Sequence, residues 1–207
     1  MRRSIDLSRG KPDLKSRALR RRRRLFEHLE RRRLLAVDGV PLEFTIPNAD
    51  VANEIRLTLN EPLIEVRDVD GEILASARLA EVSEIIINGS ADPDTLIVDF
   101  AGGGFGVPVS FVGGLPESGD GDALRLENAD AQTIAHEVRD ASSGSISITG
   151  TGLDELVDYS GLEPVFDNLG AVDRVFTFLG GTETIVLEDE GVDGNGINRI
   201  DSTLGES

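Results

Sequence analysis

Aspartates clustered in glycine-rich turns are the residues of this sequence that best match the ligands of a metal site. Carboxylate oxygens in such turns are the ligands that Ca²⁺ prefers in proteins. Solvated turn carboxylates are the default interpretation of such a pattern, and one or two isolated calcium sites are the alternative that the ligand types support. The candidate calcium ligands are Asp92, Asp94, Asp120, Asp122, Asp189 and Asp193.

Residues suited to other kinds of catalysis are scarce. The 207-residue chain has no cysteine and two histidines, which excludes thiol catalysis, a disulfide scaffold and a zinc site built on cysteine. His136 lies beside Glu137 in an alternating run, which indicates a packed or surface histidine rather than a general base. The run Gly102–Gly106 lacks the lysine and the following helix of a phosphate-binding loop, and we expect a wide loop between strands.

No pair of carboxylates stands out from the many in the chain, and aromatic residues make up 4% of it, so sugar-stacking platforms are few. We therefore predict a protein that is not an enzyme, without catalytic residues and with calcium as the only candidate cofactor. A carbohydrate-active β-helix enzyme of the lyase or hydrolase type is the alternative.

Charge divides the chain into two unlike parts. Residues 1–35 contain 14 basic and 4 acidic residues, whereas residues 36–207 contain 7 basic and 34 acidic residues. Such asymmetry predicts a basic leader, residues 1–37, joined to an acidic body, residues 38–207. The body should repel nucleic acid and attract cations, and we expect no nucleic-acid partner.

The leader has the composition of an amphipathic basic helix, and a solvated, disordered or membrane-surface segment is the alternative. Its apolar run at residues 34–37 is too short for an ordinary secretory signal. Residues 26–36 resemble the LEPR-XLL motif found near the N-terminus of large, presumably exported surface proteins of planctomycete-type bacteria. The resemblance is carried by Leu29, Glu30, Arg32, Leu34 and Leu35, and the sequence has Arg31 where the motif has proline. It implies an exported, extracellular or cell-surface protein.

The body consists of short β-type runs separated by Gly, Asp, Asn and Pro, which predicts an all-β fold. Alternation of apolar and polar residues is clearest in residues 55–59 and 145–149. The predicted strands are Glu54–Leu59, Leu63–Val66, Glu72–Leu79, Val82–Ile87, Thr95–Phe100, Val107–Val112, Ala123–Leu126, Thr133–Val138, Ser145–Thr149, Glu155–Tyr159, Arg174–Phe178, Glu183–Leu187 and Ile197–Ile200. The turn at residues 68–71 is expected to join two of them as a tight hairpin.

An internal repeat of strand, glycine, acidic turn and strand recurs at intervals of 24 to 37 residues, with predicted corners at Gly89, Gly113, Gly150 and Gly180. This recurrence favours a parallel β-helix or β-solenoid, and a β-sandwich is the alternative. Residues 89–99 and 159–167 also resemble the β-solenoid repeats of adhesin-like bacterial surface proteins.

Together these resemblances imply a non-catalytic structural or adhesive segment of an exported cell-surface repeat protein, with a calcium-stabilised binding module as a further alternative. Its expected partners are cell-surface or matrix components, and the body is expected to be part of a longer array. The strand predicted at residues 197–200 has no predicted cap beyond it, so we also expect self-association through the C-terminal strand edge.

Overall fold

The computed structural model of this chain describes residues 39–48, 53–114, 121–180, 184–189 and 198–202. Contacts divide the chain into residues 1–37 and 38–207, and all described residues belong to the second unit. The described residues of that unit form β-strands, with two short 3-10 turns at Leu79–Glu81 and Phe100–Gly102. The predicted all-β class is therefore confirmed, and the sorting-motif residues Leu29, Glu30, Arg32, Leu34 and Leu35 lie outside the described residues.

Fifteen strands are formed by the described residues. In chain order they are β1 (Val40–Thr45), β2 (Asn53–Asn60), β3 (Leu63–Asp68), β4 (Ile73–Arg78), β5 (Val82–Asn88), β6 (Asp94–Asp99), β7 (Val109–Val112), β8 (Asp122–Glu127), β9 (Asp130–Asp140), β10 (Ser143–Gly150), β11 (Leu153–Ser160), β12 (Leu162–Asp167), β13 (Gly170–Phe178), β14 (Ile185–Asp189) and β15 (Asn198–Ser202).

Two mixed sheets hold thirteen of these strands. The first sheet has the order β1-β5-β7-β11-β10-β9-β13, and the second has the order β12-β8-β6-β2-β3-β4. Strands β14 and β15 form a separate antiparallel ribbon. The predicted alternative, a β-sandwich, is compatible with this pair of sheets.

Strands that follow one another along the chain pass repeatedly from the first sheet to the second. Strands β1, β5, β7 and β11 pair in parallel within the first sheet. The strands that follow them, β2, β6, β8 and β12, pair in parallel in the same order within the second sheet. Each strand of the first set is linked to the strand that follows it in the second set, as β5 is linked to β6 by residues 89–93. We call each of these linking segments a corner.

Antiparallel strands extend each sheet at opposite ends of this parallel region. Strands β3 and β4 continue the second sheet beyond β2, and the turn between them is the hairpin predicted at residues 68–71. Asp68 accepts the backbone N–H groups of Asp70 and Glu72 there, and Gly71 adopts a φ of 84°. Strands β10 and β9 continue the first sheet beyond β11, and β13 then pairs in parallel with β9.

The hydrophobic core is formed by aliphatic side chains from alternate positions of both sheets, because side chains along a strand point to opposite faces. Its fully buried members include Leu57, Ile64, Ile85, Ile87, Leu96, Leu124, Ile134 and Ile146. Phe111 is the largest of the fully buried side chains. The core thus consists mainly of Ile, Leu and Val, as the low aromatic content of the sequence indicates.

Three glycines stack at the corners, and they are only partly the glycines predicted from the repeat. A Cβ atom on Gly89 would lie 3.3 Å from the carbonyl carbon of Gly113, and one on Gly113 would overlap the carbonyl oxygen of Gly161. Gly150 is not part of this stack, because it ends β10 and lies against Ala131. The prediction of Gly150 as the third stacked corner is therefore wrong, and Gly161 occupies that place.

Candidate functional site

Asparagine and aspartate side chains form a hydrogen-bonded ladder at the corners where the strands of the second sheet begin. Asn53, Asp94 and Asp122 are the first residues of β2, β6 and β8, and Asp94 is the register partner of Asn53. The Asn53 side-chain amide donates to Asp94 Oδ1 at 2.7 Å, and the Asp94 backbone N–H donates to Asp122 Oδ1 at 2.7 Å. Each member of the ladder is thereby tied to the next strand along the sheet.

The same two carboxylates also hold the glycine corners. The Ser90 backbone N–H donates to Asp94 Oδ2 at 2.6 Å, and the Gly114 backbone N–H donates to Asp122 Oδ2 at 2.5 Å. Asp94 and Asp122 are both fully buried, with 1% and 0% of their surfaces exposed. A buried carboxylate needs such donors, because an unpaired buried polar group is costly.

Burial and a neighbouring charge raise the pKa of one carboxyl group in this ladder. Burial raises the pKa of Asp122 above its ordinary value, although hydrogen bonds from the backbone N–H groups of Asp94 and Gly114 act in the opposite direction. The neighbouring negative charge of Asp94 raises this pKa further.

The predicted calcium ligands are only partly brought together. Asp94 and Asp122 are adjacent, and Asp92 is half-buried in the turn before Asp94. Asp120 and Asp193 lie outside the described residues, and Asp189 ends β14 in the separate ribbon. Among the residues that the structure describes, no group of three or more acidic or histidine side chains is arranged to hold a metal ion. The calcium site stays a prediction.

A second charged cluster links the middle of β2 with the last residues of β6 and β8. Arg56 Nη1 lies 2.6 Å from Asp99 Oδ2 and 3.4 Å from Glu127 Oε2. Asp99 also accepts hydrogen bonds from the Asn128 side chain and from the Ala101 backbone N–H. Burial opposes ionisation of Asp99, but these hydrogen bonds and the charge of Arg56 together lower its pKa below the ordinary value. The cluster connects side chains of the three strands.

His136 belongs to a third cluster, which joins β9, β12 and β13. Its Nε2 atom lies 3.1 Å from Asp167 Oδ2, and Arg174 Nε donates to the same oxygen at 2.9 Å. The Phe176 ring stacks on the imidazole, with 4.7 Å between the ring centroids. Burial opposes ionisation of Asp167, but hydrogen bonds from His136, Arg174 and the Leu169 backbone lower its pKa to about 2. His136 is buried, which is the first of the two placements, packed or surface, that the sequence predicts.

The glycine-rich run at residues 102–106 forms one wall of a shallow depression. The depression has a volume of about 350 Å³, and its opposite wall is the turn between β10 and β11. Glu155 lies at its base with 3% of its surface exposed, and its two oxygens accept the Gly106 backbone N–H at 3.1 and 3.3 Å. Burial raises the pKa of Glu155 above its ordinary value, although backbone hydrogen bonds from Gly106 and Phe105 oppose this. The run is a loop between β6 and β7, as predicted.

Sequence reasoning identified Asp94 and Asp122 as notable residues but missed the other clusters. Asp167 and Glu155 are each held by residues more than 30 positions away in the chain. No local motif records such contacts. A weak signal did exist for Glu155, because a charged residue at an inward position of an alternating strand requires a partner.

The described residues include no helix with the length and hydropathy needed to cross a bilayer. Comparison of this chain with protein-family models, curated proteins and solved structures found no match.

Proposed function

We propose that this chain is a non-catalytic structural or adhesive segment of an exported cell-surface protein, and that its body is a short β-solenoid. The observation that carries the proposal is the shared strand order of the two sheets. Each of the pairs β1–β2, β5–β6, β7–β8 and β11–β12 supplies one strand to each sheet, in the same sequence. Such pairs are the rungs expected of a stacked β-array, in which each rung contacts its neighbours.

The corners support this interpretation, because their backbone bonds continue beyond the strands. The Gly89 N–H donates to the Val112 carbonyl and the Gly113 N–H donates to the Ser160 carbonyl, both at 2.7 Å. Stacked glycines let neighbouring corners approach closely. An array whose rungs repeat in this way can serve as a spacer or as an elongated contact surface.

Charge and the leader support a location outside the cell. Residues 26–36 resemble the LEPR-XLL motif, and that motif is typical of exported surface proteins. The acidic body, with 34 acidic and 7 basic residues after residue 35, suits contact with cationic or calcium-bridged matrix components rather than nucleic acid.

The location can be tested with the full chain, tagged at its C-terminus and produced in a planctomycete-type bacterium. We expect the tag in the surface or medium fraction. A variant with Leu34→Asp and Leu35→Asp should be retained in the cytoplasm, while the matched variant Leu14→Asp and Leu19→Asp, outside the motif, should still be exported. Mass spectrometry of the N-terminus in each fraction would identify any cleavage. Retention of the unaltered chain in the cytoplasm would contradict the proposal.

Adhesion is tested separately by sedimenting the purified chain with isolated cell envelopes of the same bacterium. We expect the chain to pellet with the envelopes and to be released at high salt, because screening weakens contacts between exposed charges. If the chain stays in the supernatant at low salt, the adhesive role is contradicted and only the structural role is left.

The alternative of a carbohydrate-active enzyme rests on Glu155, a buried carboxyl group with a raised pKa at the base of a depression. Such a group can act as a general acid. We expect no cleavage of acidic or neutral polysaccharides by the full chain. Turnover that disappears in the variant Glu155→Gln, but not in His136→Gln, would favour the enzyme.

A further inference from the structure

Strand β14 has the sequence of a second-sheet strand but does not lie in the second sheet. Residues 183–187 read Glu-Thr-Ile-Val-Leu, and residues 94–98, which begin β6, read Asp-Thr-Leu-Ile-Val. The three apolar residues of β6, Leu96, Ile97 and Val98, are at most 1% exposed. Their counterparts in β14 are exposed by 47%, 44% and 69%, in the order Ile185, Val186 and Leu187.

The end of the body next to β12 and β13 has an open edge among the residues that the structure describes. Strand β12 ends the second sheet and β13 ends the first, so each has a strand on one side only. Phe166 on β12 and Phe176 on β13 are 41% and 39% exposed. An exposed strand edge flanked by large apolar side chains is a template for pairing with another strand.

Chain order and linker length both connect this edge with β14. Strands β1, β5, β7 and β11 are each followed by a second-sheet strand, whereas β13, which runs parallel to them, is followed by β14. Residues 179–184 separate β13 from β14, and residues 89–93 and 113–121 separate the strands at two of the established corners. The linker to β14 therefore has a length that already spans a corner elsewhere in this body.

We propose that the edge of β12 is a docking site for the β14–β15 ribbon of the same chain, with β14 added as a seventh strand of the second sheet and the fifth of its parallel strands. Strands β14 and β15 remain paired, because β14 uses its other edge to meet β12. The register of β6, β8 and β12 places Leu96, Leu124 and Val165 in one row and Ile97, Arg125 and Phe166 in the next. Continuing these rows puts Ile185 beside Val165 and Val186 beside Phe166.

Docking would cover apolar surface on both partners. The Phe166–Val186 pair would bury two side chains that are each more than 40% exposed. Ile185 and Leu187 would take the inward positions that their counterparts Leu96 and Val98 occupy in β6. Burial of apolar area is the main favourable term for adding a strand. The inference does not depend on the proposed surface function, since it concerns pairing within the body.

The absence of cysteine from the sequence makes cross-linking a clean test. In the full-length variant Phe166→Cys with Val186→Cys, docking would bring two neighbouring-strand positions within the range that a disulfide bridges. We expect mild oxidation to give an intramolecular cross-link in most molecules, seen as a faster-migrating monomer on a non-reducing gel. Amide exchange of β12 should also be at least tenfold slower in the unaltered chain than in the full-length variant Ile185→Asp with Leu187→Asp.

Two matched pairs calibrate the experiment. Arg125→Cys with Phe166→Cys joins register partners of β8 and β12 and should cross-link fully. Phe166→Cys with Val40→Cys joins strands at opposite ends of the two sheets and should not. A Phe166–Val186 pair that behaves like the second control, or that cross-links only between two molecules, would overturn the proposal.

Discussion

Buried carboxyl groups in this body occupy two contrasting environments. Asp122 and Glu155 are held by backbone N–H groups, and burial raises the pKa of each. Asp167 is held by His136 and Arg174 as well as by a backbone N–H, and its pKa falls to about 2. Cationic and ring N–H donors can therefore outweigh burial where uncharged backbone donors do not.

The lowered pKa of Asp167 predicts a loss of stability in acid. A carboxyl group with a folded pKa of about 2 and an ordinary value of 3.8 stabilises the fold above pH 4, and this contribution is lost as the pH falls towards 2. It amounts to about 2 kcal/mol. We expect Asp167→Asn to lower the free energy of unfolding by about that amount at pH 5, with the difference shrinking by half or more at pH 2. Urea denaturation from pH 2 to 5 would measure it.

The matched control is Asp158→Asn, which removes a carboxylate paired with Arg139 at 2.8 Å on the exposed surface. Exposed ion pairs of this kind contribute about 0 to 1 kcal/mol. The control also allows for Asp122 and Glu155, whose raised pKa values change stability with pH in the opposite sense. Equal pH profiles for Asp167→Asn and the unaltered chain would show that the His136–Asp167–Arg174 cluster does not stabilise the fold.

At the scale of elements, the corners depend on glycine because consecutive corners touch. A methyl group on Gly113 would overlap the Gly161 carbonyl oxygen and lie 2.7 Å from Asp122 Oδ2. We expect Gly113→Ala to lower the free energy of unfolding by about 1 to 3 kcal/mol, as overpacking does. Thermal and urea denaturation of the full chain would measure the loss.

Gly150→Ala is the control for this prediction, since its new methyl group would lie 3.0 Å or more from all neighbouring atoms. The small gain from reducing the freedom of the unfolded chain applies to both substitutions. If Gly113→Ala were no more destabilising than Gly150→Ala, the close contact between consecutive corners would not require glycine, and the prediction would be wrong.

The strands that the sequence did not predict have a common physical feature. All thirteen predicted strands overlap strands of the structure, but β1 and β12 were not predicted. Each contains a proline, Pro41 or Pro164, and proline interrupts the donor pattern that marks a strand. Both strands lie at the edge of a sheet, where one side of the backbone needs no pairing and proline is tolerated.

Contacts are also harder to predict from the sequence when the contacting residues lie far apart along the chain. The turn at residues 68–71 is a local pattern, and its prediction as a hairpin is confirmed. The partnership of His136 with Asp167 spans 31 positions and depends on β9 and β12 approaching each other in the fold. The spacing of the repeat points to Gly150 instead of Gly161 because it does not reveal that β9 and β10 intervene along the chain between β8 and β11.

At the scale of the whole molecule, the excess of negative charge destabilises the compact state. The chain carries a net charge of −17, and carboxylates at Asp94 and Asp122 are stacked in neighbouring strands. Self-repulsion of this kind weakens a fold and is reduced by screening. A divalent cation can act in two ways, by screening all carboxylates or by binding a specific site.

Comparison of salts separates these two actions in the full chain. We expect the melting temperature to rise with NaCl, and to rise equally with CaCl₂ and MgCl₂ at matched ionic strength, because all four oxygens of Asp94 and Asp122 already accept hydrogen bonds. A calcium site would instead add stability that grows with the logarithm of calcium concentration. A rise with calcium that exceeds the rise with magnesium, and that chelator reverses, would establish the predicted site. The same rise in the double variant Asp189→Asn and Asp193→Asn would place the ion at the corners rather than near the ribbon.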